Sequence, residues 1–318
     1  MPRPIVTITL NPALDLSASV PKIEPGPKLR TGAVLVEPGG GGINVARAVV
    51  SLGGRAVALA ALGGATGKRL AALLEQLDGL ELVALQAPGE TRESLTLQEA
   101  ASGGEYRFVL PGPDFTAEHA PALCDAILSR LPPEALVVLS GSQPPGLPAD
   151  LAQSLARHLP DQARMIVDIS GDSLGHLLAH PDPEAMPAVL RLDAAEAAAR
   201  AGRALATAQD GAGLAADWVG QGVAGCVILA RGSEGSVMVD ANGAWLCAPP
   251  EVPVASKVGA GDSFVAGLTL ALARGEPLVD ALRLGTAAAA AAVMTPGSAL
   301  CRAEDVVRLL PQCRLTRL

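Results

Sequence analysis

Residues 257–267 read KVGAGDSFVAG. A β-prone run, 252–258, stops at Gly259-Ala260-Gly261-Asp262, and an apolar helical run, 264–273, begins at once. This predicts a strand, a glycine turn and a helix N-terminus, with one carboxylate inside the turn. Glycines let the backbone come close to a ligand, and the open N–H groups of a helix start form an anion site. An Asp held by those N–H groups is expected to be ionised at neutral pH. The segment therefore offers a base beside an oxyanion cradle, the pairing needed to take a proton from an alcohol next to a phosphoryl group. The plainer alternative is an Asp N-cap on a tight turn.

Around this segment, strand and helix signals alternate. A strand over 5–10 stops at Asn11-Pro12, and Asp15 follows at once, near a strand's C-terminal end, where open α/β sheets bind ligands. Four glycines, 39–42, open a helix over 43–52 that Gly53-Gly54 closes. Such a run implies either close backbone approach to a small ligand or a flexible hinge. Asn44 sits in the first helical turn, able to point at whatever the glycines admit. Val45 stands where a dinucleotide fingerprint needs Gly or Ala, so a dinucleotide oxidoreductase is not supported. GGATGK at 63–68 fails as a P-loop, because its glycines are too close and Arg69 replaces the Ser or Thr; it predicts a turn into a helix over 68–77.

Further strands are expected at 56–62, 135–139, 165–169 (with Asp168 at its end), 188–192 and 225–230. Helices are expected at 147–158 and 211–220, with a hairpin of 236–239 and 244–247 across Asn242-Gly243. Two Ala-rich helices and a terminal one, 303–310, complete the chain. This rhythm implies an α/β fold with a mostly parallel sheet covered by helices. The β-prone piece 31–36 and the pair 93–99 and 105–110 break it, as a separate small sheet or lid would. Arg92 stands at the entrance of that pair and Arg107 within its second strand; each is a ligand contact or a solvated strand charge.

Composition narrows the function. The chain is 49% hydrophobic with only 2% aromatics, so its core must be Ala, Leu and Val and it lacks base-stacking surfaces. A net charge of −8 without a basic run argues against nucleic acid. Five scattered cysteines read as reduced thiols in a cytoplasmic protein without a zinc site. No signal peptide or membrane-spanning run is expected. His176 and His180, four apart, read as helix-end histidines rather than metal ligands.

The set PGGGGINVARA (38–48), SGSQPPG (140–146), Asp193-x-x-Glu196, ARGSEG (230–235) and VGAGDS (258–263) resembles the ribokinase-like (PfkB) carbohydrate kinases, over about 5–302. The closer likeness is to the minor bacterial 6-phosphofructokinase branch, carried by LNPALD (10–15), PKLR (27–30), EPGGGGINVARA (37–48), GGATG (63–67), TRES (91–94) and EYRFVLPG (105–112). The resemblance implies a single Rossmann-type kinase domain over 1–318 with a β lid from about 13–36 and 90–112, and a homodimer formed through the lid. It implies ATP and Mg²⁺ as cofactors and a sugar phosphate as substrate: fructose 6-phosphate, phosphorylated at O1 to fructose 1,6-bisphosphate. The alternatives are 1-phosphofructokinase, tagatose-6-phosphate kinase, or a non-catalytic sugar-phosphate or nucleotide sensor.

By the same resemblance Asp262 is the catalytic base, and the N–H groups of Gly259, Ala260 and Gly261 form the anion hole. Asp15, Gly40, Gly41 and Asn44 hold sugar hydroxyls and Ser142 lies near the acceptor. Lys28, Arg30, Arg92 and Arg107 neutralise the phosphate already on the substrate, where Arg forks fit. Arg191, Asp193, Ala230, Gly232, Glu234 and Gly235 are expected on the nucleotide side, with Glu196 organising Mg²⁺ through water. Three departures stand out. Arg191-Leu192-Asp193 replaces the family's Lys-Pro-Asn and puts an extra anion near the nucleotide phosphates. Ala230 replaces the usual Ser or Thr. Lys257 replaces a Thr beside the family's monovalent-cation site and is expected to replace or weaken K⁺ there.

Overall fold

The computed structural model describes residues 2–297 and 299–318. The chain opens with β1 (Ile5–Thr9), β2 (Ala13–Val20), β3 (Leu35–Gly39), α1 (Gly41–Ser51), β4 (Ala56–Leu62), α2 (Gly64–Leu74) and β5 (Leu80–Gln86). It continues through β6 (Arg92–Glu99), β7 (Glu105–Val109), α3 (His119–Leu128), β8 (Leu136–Gly141), α4 (Leu151–Arg157), β9 (Arg164–Ile169) and α5 (Gly171–Ala179). Then follow β10 (Val189–Asp193), α6 (Ala194–Ala201), α7 (Ala208–Gly220), β11 (Cys226–Ala230), β12 (Ser236–Asp240) and β13 (Gly243–Ala248). The last elements are α8 (Ala260–Ala273), α9 (Leu278–Ala292), α10 (Ala303–Leu309) and β14 (Arg314–Arg317).

Ten strands form one sheet in the order β14-β13-β12-β11-β10-β9-β8-β1-β4-β5. It is parallel from β11 to β5, and the hairpin β12–β13 and the closing β14 extend it antiparallel. β1 is flanked by β4 on one side and β8 on the other, so the strand order reverses there, which opens a crevice at the strands' C-terminal ends. The second sheet runs β3-β2-β6-β7, with only β2 and β6 parallel.

Helices cover both faces of the large sheet. One apolar cluster joins it to α1, α8 and α9; the other joins it to α3, α4, α5 and α7. With so few aromatics the helices must approach closely. Gly267 lies against the Leu284 carbonyl and Gly285 against that of Phe264, where a Cβ would sit at 2.8 and 2.9 Å. Phe264 is the largest fully buried side chain. Among the described residues no helix is long and apolar enough to cross a membrane.

Five local expectations need correction; the first is the helix expected over 147–158, which begins only at Leu151. Residues 252–258 are not a strand: Pro253 has no N–H for a ladder, and the N–H groups of Ala255 and Ser256 donate to the Val293 carbonyl at the end of α9, at 2.8 and 3.2 Å. Helix α8 begins at Ala260, not 264, so Gly261 and Asp262 lie inside its first turn. Helix α2 begins at Gly64 rather than Lys68, because the Glu90 carboxylate accepts from Thr66 N at its N-terminus (2.5 Å). The strand expected over 31–36 is β3, shifted to Leu35–Gly39 by pairing with β2.

Candidate active site

The glycines at 39–42 seat the N-terminus of α1 against the protein itself. A Cβ at Gly39 would collide with the Asp15 carboxylate, at Gly41 with Ser140, and at Gly42 with the β1 backbone. Gly40, at φ +114°, makes the turn that no other residue adopts without strain. Asp15 on β2, Asn44 on α1 and the end of β8 are thereby drawn to one crevice.

Asn44 Nδ2 donates to Asp262 Oδ2 at 2.9 Å. Its amide oxygen accepts from Arg47 Nη1 at 3.3 Å, and Arg47 is held by the Pro38 carbonyl at 2.8 Å and by Glu37 at 3.3 Å. A chain of contacts thus orients the amide. Burial and the nearby Asp168 push Asp262 up to about 6, against the opposing pull of Asn44 and Arg191. The carboxyl is still mainly ionised at neutral pH, though not for the expected reason: its partner is Asn44 rather than the first-turn N–H groups. Gly259, at φ +75°, takes the N-cap position, which removes the simple capping role for Asp262. Helix geometry leaves the first-turn N–H groups, those of Ala260, Gly261 and Asp262, without intrahelical acceptors.

Arg191 Nη1 donates to Asp168 Oδ1 at 3.2 Å, and its guanidinium lies against Gly261, where a Cβ would meet it at 3.0 Å. Its Nε is buried without a partner among the described residues. Burial raises Asp15, while Arg92 and Arg107 hold it down. Burial lowers Arg92, partly offset by Asp15. Arg92 also donates to the Asn11 carbonyl through Nε and Nη2, both at 3.3 Å, and Asn11 Nδ2 donates to Ser142 Oγ at 3.1 Å. Asp262, Asn44, Asp15, Arg92, Arg107, Arg191 and Ser142 therefore belong to one connected site.

Among the residues expected on the nucleotide side, Asp193 and Ala230 are register partners on β10 and β11. The Asp193 carboxylate accepts from Ala195 N at 2.8 Å and caps α6, so this departure from the family pattern also has a local structural use. Glu196 is in the first turn of α6. Glu234 pairs with Arg231, whose guanidinium also holds the carbonyls of Leu205 and Ala206; the turn Gly232–Glu234 is thus tied to the neighbouring loop. A Cβ at Gly235 would strike the Cys247 carbonyl.

Lys28 and Arg30 are not among the charges that act on Asp15, which are Arg92, Arg107, Glu37 and Arg47. They are exposed in the connection between β2 and β3, past the point where Gly32 N donates to the Ser19 carbonyl. That point is about 13 Å along the strand from Asp15, at the usual rise per residue. Lys257 is also exposed. Sequence reasoning does not single out Arg47, Asn11 or the pairing of Asp168 with Arg191. Arg47 carries a signal, standing one helical turn after Asn44 on the same face.

A sequence profile of pfkB family carbohydrate kinases matches residues 6–305. The chain belongs to the pfkB family. It is 38% identical over 305 residues to the ATP-dependent 6-phosphofructokinase isozyme 2 of Mycobacterium tuberculosis, covering 96% of this chain and 88% of that one. It is 33% identical over 310 residues to the 1-phosphofructokinase of Xanthomonas campestris, covering 96% and 94%. Among solved structures it is similar to phosphofructokinase-2 from Escherichia coli. The complex of that protein with potassium has a TM-score of 0.90 at 37% identity and coverage of 98% and 99%. Its complex with fructose-6-phosphate has a TM-score of 0.88 at 36% identity, with the same coverage.

The residues fit the family's cofactors in kind. The pfkB α8 terminus supplies N–H donors for a phosphoryl group. No group of three or more His, Cys, Asp or Glu among the described residues is arranged to hold a metal ion by itself. Mg²⁺ keeps waters and shares ligands with substrate phosphates, so it does not need such a group.

Proposed function

We propose that this chain is an ATP-dependent sugar-phosphate kinase that phosphorylates fructose 6-phosphate at O1. The observation that carries the reading is the Asp262 carboxylate, oriented by Asn44 at the open N-terminus of α8 and facing the site of Asp15, Arg92 and Arg107. Mg²⁺-ATP supplies the phosphoryl group and offsets its charge when bound. Asp262 takes the proton of the C1 hydroxyl, and the N–H groups at 259–261 stabilise charge on the transferring group. Asp15 and Asn44, with the backbone at Gly40 and Gly41, hold the sugar hydroxyls. Arg92 and Arg107 absorb the charge of the 6-phosphate, for which a neutral sugar would have no use. Arg191 and the edge formed by Asp193, Ala230, Gly232 and Gly235 take the nucleotide, with Glu196 near its metal.

The small sheet acts as a lid over the single kinase domain. The lid exposes Leu35 and Val109 on the face that carries Asp15 and Arg107, and Tyr106 and Phe108 on the opposite face, apolar positions suited to contact with the lid of a second copy. A cytoplasmic location goes with a sugar-phosphate substrate and free thiols. A coupled ADP-release assay on fructose 6-phosphate, fructose 1-phosphate, tagatose 6-phosphate and ribose tests the reading. The expected result is fastest turnover on fructose 6-phosphate. A preference for fructose 1-phosphate, the reading favoured by the 1-phosphofructokinase likeness, reassigns the acceptor. No ADP release with any sugar leaves a sensor.

A further inference from the structure

The chain passes four times between the large sheet and the lid, and these passages converge on Asn11 and Pro12. The first passage is Asn11-Pro12 itself. At the second, a Cβ on Gly40 would come to 3.1 Å from Pro12 Cα. At the third, Arg92 donates twice to the Asn11 carbonyl. At the fourth, a Cβ on Gly112 would strike Asn11 Oδ1, an atom buried without a partner among the described residues. From this knot Asn11 Nδ2 reaches across the crevice between β1 and β8 to Ser142 Oγ.

A serine hydroxyl carries one hydrogen and two lone pairs. With the Asn11 N–H on one lone pair, the hydrogen is directed elsewhere, and Ser142 is exposed at the crevice. Its hydrogen is therefore free to be donated to a substrate oxygen. We propose that Asn11 is a positioning residue for the sugar phosphate: its side chain turns the Ser142 hydrogen toward the substrate, while its carbonyl sets Arg92 at the lid entrance. This rests on the sugar-phosphate reading above, and it adds a hydrogen-bond polarity and a link between the acceptor loop and the lid.

Asn11→Asp tests it, since an ionised carboxylate keeps the shape and can only accept. The Ser142 hydrogen then turns inward and the donor is lost from the crevice. The KM for fructose 6-phosphate should rise by up to about tenfold, the upper scale of one neutral hydrogen bond, with the KM for ATP unchanged. In the Ser142→Ala background the same substitution should shift the KM far less, because the two residues act as one unit. An unchanged KM in Asn11→Asp, a parallel fall in all kinetic constants with lowered thermal stability, or full additivity with Ser142→Ala overturns the proposal. Should Asn11→Asp fail to fold, Asn11→Ser carries the same test without adding charge, its side chain being too short to reach Ser142. A wild-type chain that turns over no sugar phosphate overturns the parent reading and this one with it. Normal wild-type turnover with no KM shift in the variant overturns only this one.

Discussion

Asn44 Nδ2 and Asp262 Oδ2 meet at 2.9 Å although 218 positions separate them in sequence. The bond favours the ionised carboxyl, whereas burial and Asp168 favour the neutral one, and the balance leaves Asp262 at about 6. A base must be ionised to accept a proton, so kcat/KM should fall as pH drops through about 6. Asn44→Ala removes a bond made to the charged form and should move this acidic limb to higher pH. A pH–rate profile of both proteins checks the sign.

Asp262→Asn should reduce turnover by about 10² to 10⁴, the usual scale for a lost general base. The same substitution should stabilise the fold. A carboxyl raised from 3.8 to about 6 favours the folded state while protonated, and that advantage is lost as pH rises through about 6. Above that pH the wild-type protein carries a poorly solvated charge that Asn lacks. Melting curves should therefore show Asp262→Asn melting higher at pH 8, with the gain shrinking through pH 6. Near-full activity in this variant would remove Asp262 from the mechanism.

Asp168 and Arg191 act on Asp262 with opposite signs. Asp168→Asn removes a like charge and should lower the midpoint of the acidic limb. Arg191→Gln removes a favourable charge and should raise it. Because Arg191 is held at 3.2 Å by Asp168, the double variant should not be the sum of the two. Profiles that move in the same direction for both single variants would contradict this arrangement.

Lys257 is exposed, two residues before the αL glycine that starts α8. A cation on that loop would compete with any K⁺ bound beside it. Activity should therefore depend only weakly on K⁺, and Lys257→Thr should make the dependence steeper. Strong activation of the wild-type protein by K⁺, measured against a bulky organic cation at equal ionic strength, would reject the replacement.

Much of the architecture was legible because its signals are local. The turns at 39–42 and 258–263 each combine β-prone residues, glycine and a helix start within a few residues, the turn at 140–146 directly ends a strand, and each lies at the crevice. What binds them together was not legible. Arg47 orients Asn44 through Glu37 and the Pro38 carbonyl, contacts set by the β3–α1 turn. Asp168 meets Arg191 only because β9 and β10 are neighbours. The strand β14, four exposed residues, exists by pairing with β13 and has no periodicity of its own. The β-prone residues 252–258 show the reverse case: propensity is present, but the available acceptor is the end of α9. The placing of Lys28 and Arg30 in the exposed β2–β3 connection was not legible either, since sequence gives their charge but not their position.

The glycine turn at 63–67, which is not a P-loop, still binds an anion, and the anion is the protein's own. Glu90, just before the lid strand β6, accepts from Thr66 N at the start of α2 (2.5 Å), and a Cβ on Gly64 would strike its carboxylate. The hydrogen bonds from the Thr66 backbone and side chain hold Glu90 below its usual value of 4.5. A lowered carboxyl contributes stability that is present above the unfolded value and lost as pH falls through the folded one. Glu90→Gln should therefore lower the melting temperature at neutral pH, and the difference from wild type should close below pH 4.5. The carboxylate is solvent-exposed, so the effect should be small and salt-sensitive. Gly64→Ala should cost more, because Gly64 has φ +66° and adds a collision with Glu90. A melting difference for Glu90→Gln that persists unchanged at low pH would mean that the carboxylate's charge is not what holds the start of α2 to the lid connection.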